Sequence, residues 1–154
     1  MFIADLEIGQ IGRLIQFAMA PAFLLVATGN ILQLFAGRLA RVIDRERVQL
    51  AEFSRTEGED HVRVVRELRI LDRRASIVNK AILMATLSAS TVSLLIAAMF
   101  VLSLTGYKFG QIVAGGFILA MLFLITGLGL FIAEIRLATR NIRIEERLLV
   151  LDED

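Results

Sequence analysis

Leu14–Gly37 reads LIQFAMAPAFLLVATGNILQLFAG, twenty-four residues without a formal charge. As a helix rising ~1.5 Å per residue it reaches ~36 Å, enough to cross a ~30 Å hydrocarbon core with some tilt. Alternating steps of three and four select Gln16, Met19, Phe23, Val26, Asn30, Gln33 and Gly37. That 3.5-residue period keeps one seam turned toward a partner helix or a common axis. Three of the four hydrogen-bonding side chains in the stretch, Gln16, Asn30 and Gln33, lie on the seam, and Thr28 does not. Lipid offers carboxamides no partner, so this face should meet protein or water. Pro21 falls nearly opposite the seam and removes a backbone hydrogen bond, so a kink is expected there.

Upstream, residues 2–12 (FIADLEIGQIG) fit either a short interfacial helix or a frayed end. Asp5, Glu7 and Arg13 precede the apolar run, which is too long for a signal core. An uncleaved anchor is expected. Downstream the material changes. Residues 38–80 hold eleven basic and eight acidic side chains. They read as two helical arms joined near Gly58, which suits a helix end, with Glu59 and Asp60 suiting the next first turn. Arm one carries Leu39, Ile43, Leu50 and Phe53 on a stripe interrupted by Glu46; arm two carries Val62, Val65, Leu68, Leu71, Ala75 and Val78. Both stripes suit an antiparallel helical hairpin. Nothing between Gly37 and Leu39 breaks a helix, so arm one should continue the first span.

A second span is expected over about 81–105. Ala81, Ala85, Ala89, Ser93 and Ala97 recur every four residues and form a ridge that lets another backbone approach. Thr86, Ser88, Ser90 and Thr91 add hydroxyls. The segment Gly106–Gly110 reads as a tight turn, with Tyr107 and Phe109 suited to an interface. The third span covers about 112–133, and residues 134–154 read as an amphipathic tail helix bearing Arg136, Arg140, Arg143 and Arg147. The fold class is therefore all-α: one membrane domain over 1–154, with three spans (about 14–37, 81–105, 112–133), a helical hairpin at 38–80 and a tail helix.

Composition agrees. Hydrophobic residues make up 56% of the 154, while 17 basic residues nearly balance 16 acidic ones, so nothing draws the chain to nucleic acid. Distribution is informative where the total is not. Fifteen of the basic residues lie in 38–80 and the tail, leaving Arg13 and Lys108 on the other side. The positive-inside rule then puts the N-terminus outside and the hairpin and C-terminus in the cytoplasm of an inner (plasma) membrane protein. Arg38, Arg41, Arg45, Arg73, Arg74, Lys80, Arg136 and Arg140 would sit near headgroups, either fixing topology or holding anionic lipid.

The strings Ile15-Gln16…Ala20-Pro21, Arg38-Leu-Ala-Arg41-Val-Ile-Asp44-Arg45 and Glu67-Leu-Arg-Ile-Leu-Asp-Arg73-Arg74…Asn79-Lys-Ala81-Ile stand in order against the spans. In these the chain resembles an uncharacterised prokaryotic membrane-protein family, domain of unknown function 2721, over about residues 12–145. The resemblance implies the architecture and transfers no activity.

Catalytic chemistry is hard to assemble. The chain has no cysteine, which excludes thiol catalysis and disulfides, and one histidine, His61, with no second ligand at metal spacing. Gly115-Gly116 and Gly127-Leu-Gly129 lie within a span and lack a following Lys-Ser/Thr, so they read as packing glycines. Neither an enzyme, a cofactor nor a metal site is expected. From Leu14 to Ala133, leaving out the arms, the only formal charge is Lys108, which argues against ion-coupled transport.

Two functional readings stay open. In one, several copies place Gln16, Met19, Phe23, Val26, Asn30 and Gln33 around an axis as a channel-like pore. In the other, the same residues pack helices in a non-conducting scaffold or regulatory protein, and the 38–80 hairpin engages a cytoplasmic protein partner. Both require contact with membrane lipid and a homo-oligomer.

Overall fold

The computed structural model describes residues 2–53, 57–104 and 110–149, with side-chain surroundings for 12–13, 15–53, 57–58, 61–102 and 110–138. Among the described residues everything regular is helical: α1 (Phe2–Phe53), α2 (Glu59–Leu104) and α3 (Gly110–Leu149). Each joins an apolar run to a charged extension without a break. α1 passes through Pro21 and Gly37, so span and arm one are a single helix of 52 residues. The N-terminal segment is likewise the start of α1 rather than a separate helix, and the tail is the end of α3. The expected turn with Tyr107 and Phe109 lies outside the described residues.

All three helices contain a stretch long and apolar enough to cross a membrane, within Ile15–Phe53, His61–Leu102 and Gly110–Ala138. Strong amphipathicity is not needed here, because the solvent of such a face is lipid. Large apolar side chains such as Phe17, Leu94 and Ile125 are therefore exposed on the outside of the helices.

The chain divides into two compact units, Met1–Leu32 with Met84–Ile125 (unit 1) and Gln33–Leu83 with Thr126–Asp154 (unit 2). In unit 1 small groups let the helices close up. Ala18, Ala85 and Ala120 are buried, and the Ser88 hydroxyl donates to the Ala120 carbonyl at 2.8 Å, tying α2 to α3. Gly116 leaves room for Leu95: a Cβ there would come within 2.5 Å of Leu95 Cδ2, so that side chain would have to shift. Thr28, also buried, donates to its own helix at the Leu24 carbonyl, 2.8 Å away, so its hydroxyl is satisfied without a neighbour.

In unit 2 the core has an aromatic pair. Phe35 and Phe131 stack with ring centroids 4.3 Å apart, and Val42, Val64, Leu71 and Val78 are also buried. At the far end Gly58 takes φ 73°, the left-handed conformation that lets α1 turn back into α2 without a Cβ clash. His61 packs on Phe53 at 4.3 Å and is half-buried.

The buried line along α2 is Val64, Leu71, Val78, Ala85, Val92 and Met99, one residue in seven; α1 follows suit with Pro21, Thr28, Phe35 and Val42. A seven-residue recurrence holds one face to its neighbours along a long helix. It also revises the expected arm stripes. Val62 is 60% exposed and Val64 is buried in its place, while Val42 rather than Ile43 is the buried residue of arm one. The rest of that stripe does face inward, with Leu71 and Val78 buried and Val65, Leu68 and Ala75 half-buried.

Candidate functional site

α1 has two faces. Ala18, Pro21, Thr28, Phe35 and Val42 are buried within the chain, whereas Gln16, Met19, Phe23, Val26, Asn30 and Gln33 are all exposed. Gly37, Ala40, Asp44 and Arg47, which prolong the second set, are exposed as well. The burial line and the seam both recur every seven residues, and they stand about half a turn apart on a helix of ~100° per residue. α1 therefore gives α2 and α3 one seam and keeps the carboxamide seam free of them.

The ridge on α2 is divided. Ala81 and Ala85 are buried in the chain, Ala89 is half-buried, and Ser93 and Ala97 are exposed. The cause is geometric: each four-residue step overshoots a full turn by about 40°, so five such positions wind around the helix.

A second constellation lies in unit 2 at the ends of the apolar runs. Glu134 of α3 has no exposed surface, and arginines from both other helices hold its carboxylate. Arg38 of α1 donates from Nη1 to Oε2 at 2.9 Å. Arg74 of α2 donates from Nη2 and Nε to Oε1 at 2.9 and 3.2 Å. The Arg38 guanidinium also lies 5.6 Å from the centre of the Phe131 ring, whose other neighbour is Phe35. A buried carboxylate is tolerable only if paired and bonded, and here both oxygens are.

Of the eight cations assigned to headgroups or topology, then, Arg38 and Arg74 turn to Glu134. Arg41, Arg45, Arg73, Lys80 and Arg136 are exposed, with Arg41 Nε donating to the Gly37 carbonyl at 3.2 Å. The Arg140 side chain lies outside the described residues. Sequence reasoning missed Glu134 because it drew the third span to Ala133 and counted the next residue into the tail. A signal was available. Glu134 stands seven residues beyond Gly127 and fourteen beyond Ala120, on the face that α3 buries. An acid on an apolar face calls for a basic partner on a facing helix. Among the described residues no group of three or more His, Cys, Asp or Glu side chains comes together.

Three helices of this length and hydropathy, with apolar side chains outward and charges paired inward, define a multi-pass helical membrane protein. Its family is shown by sequence: a model described as "Protein of unknown function (DUF2721)" matches residues 18–144, and the chain belongs to that family. No curated protein and no solved structure matches it.

Proposed function

We propose that this protein is a homo-oligomer of a prokaryotic inner (plasma) membrane, and that the exposed α1 seam lines a channel-like pore. One observation carries the reading: Gln16, Asn30 and Gln33 share an exposed face of α1 that the chain's own α2 and α3 do not cover. In lipid such a face is costly; against further copies, or around water, it is satisfied. Asn30 and Gln33 then form neutral polar rings. Phe23, 67% exposed in the single chain, and Val26 form an apolar constriction that gates by dewetting. The N-terminus lies outside and the 38–80 hairpin in the cytoplasm, following the basic residues. The protein performs no catalysis in this reading.

The second reading, a scaffold acting through the cytoplasmic hairpin, has its own support. Val48, Leu50 and Val62 are exposed apolar side chains on the charged arms, a surface suited to a protein partner.

Ion flux from purified protein in liposomes separates the two. Flux altered by Asn30→Leu/Gln33→Leu places the seam on a water-filled path. A well-assembled oligomer that passes no ion over a range of potentials removes the channel reading and directs attention to the arms.

A further inference from the structure

The Arg38–Glu134–Arg74 cluster is not charge-neutral. Two guanidinium groups face one carboxylate, so the cluster carries a formal excess of one positive charge. The excess is accessible on one side: Glu134 is fully buried and the Arg74 side chain 18% exposed, but the Arg38 side chain is 32% exposed. Only Nη1 of Arg38 is bonded to Glu134, and a guanidinium carries five N–H groups in a rigid fork.

Arg38 also begins a stripe. Arg41 and Arg45 follow it at three and seven residues, within about 60° of it around a helix of ~100° per residue, and both are exposed. Asp44 borders the stripe, three residues and about 60° beyond Arg41 on the seam side and about 120° from Arg38, and Glu46 is on the other flank of the buried line. The stripe starts at the residue that ends the apolar run of α1. The same is true of Glu134 on α3, which follows Ala133. With the apolar runs taken as the hydrocarbon-spanning segments, the stripe begins at headgroup depth.

We propose that Arg38, Arg41 and Arg45, backed by the Arg74–Glu134 pair, form a binding site for the phosphate of an anionic phospholipid headgroup. Glu134 positions the site: it takes Nη1 of Arg38 and so aims the rest of the fork outward. The phosphate supplies the missing negative charge, and guanidinium groups suit it because they match two of its oxygens at once. A lipid is the source because its acyl chains already hold the phosphate at this depth. The site is independent of whether the α1 seam conducts.

The test uses full-length protein in nanodiscs of phosphatidylcholine with phosphatidylglycerol as the minority lipid, reading the lipid retained by native mass spectrometry. Wild type retains phosphatidylglycerol preferentially. Arg41→Gln/Arg45→Gln, outside the ion cluster, lowers that preference by roughly tenfold or more, at about fivefold per surface cation. Arg38→Lys keeps the charge, loses the fork, and lowers it too. Arg66→Gln/Arg69→Gln, on exposed positions of α2 outside the set of cations assigned to headgroups, leaves it intact. Equal losses in both double variants reduce the effect to general surface charge and overturn the site. So does an unchanged preference in Arg41→Gln/Arg45→Gln, whatever the folding of Arg38→Lys. Displacement of the retained lipid by millimolar inorganic phosphate overturns the assignment to a lipid.

Discussion

In unit 1 the helices meet through small groups set among Val92, Met99 and Leu124: buried alanines, a glycine under Leu95, and a hydroxyl bonded to a facing carbonyl. In unit 2 they meet through a phenylalanine stack and a carboxylate gripped by two arginines. The contrast follows from the solvent. Within hydrocarbon there is little hydrophobic drive to bring helices together, so close approach and an occasional interhelical bond must do it. Where the apolar runs give way to the charged extensions, arginine and glutamate can pair across helices.

The comparison predicts a graded set of losses, read as shifts in unfolding by SDS titration of mixed micelles. Glu134→Ala leaves two arginines without their buried partner and should be the most damaging change, at about 3–5 kcal/mol. Glu134→Gln, which keeps shape and some bonding, should cost less; equal stability of Glu134→Ala and wild type would remove the ion cluster from the account. Phe35→Ala, which empties a fully buried site against Phe131, should cost about 3 kcal/mol. Gly116→Ala in unit 1 should cost about 1 kcal/mol, since the flexible end of Leu95 can partly yield. A second change, Leu95→Ala, should then recover the loss; no recovery would mean the glycine serves something other than clearance. The smallest effect belongs to Ser88→Ala, about 0.6 kcal/mol for one interhelical hydrogen bond in a membrane protein. A larger loss from Ser88→Ala than from Glu134→Ala would invert the comparison.

A sharper version concerns α1 alone. If its two seams have different jobs, Thr28→Val on the buried line should lower stability slightly and leave subunit association unchanged. Asn30→Leu on the exposed seam should alter association or flux and leave the subunit's own unfolding nearly untouched. Identical behaviour of the two variants in both measurements would erase the distinction.

Much of this was legible in the chain itself. The length and apolarity of the runs from Leu14, Ala81 and Ile112 called for three helices long and apolar enough to cross a membrane, because lipid leaves the backbone no alternative but to bond to itself. The 3.5-residue period of Gln16 to Gln33 marked a seam, and the lack of a breaker at Gly37 marked a continuous helix. What periodicity cannot say is which of two seams on one helix meets the chain's own neighbours. On α1 both recur every seven residues, and the choice of Thr28 and Phe35 over Asn30 and Gln33 rests on how α2 and α3 pack. Nor does a charge at the end of an apolar run declare its direction. Arg38, Arg74 and Glu134 are separated by 36 and 60 residues, and only the packing of three helices brought them within hydrogen-bond reach.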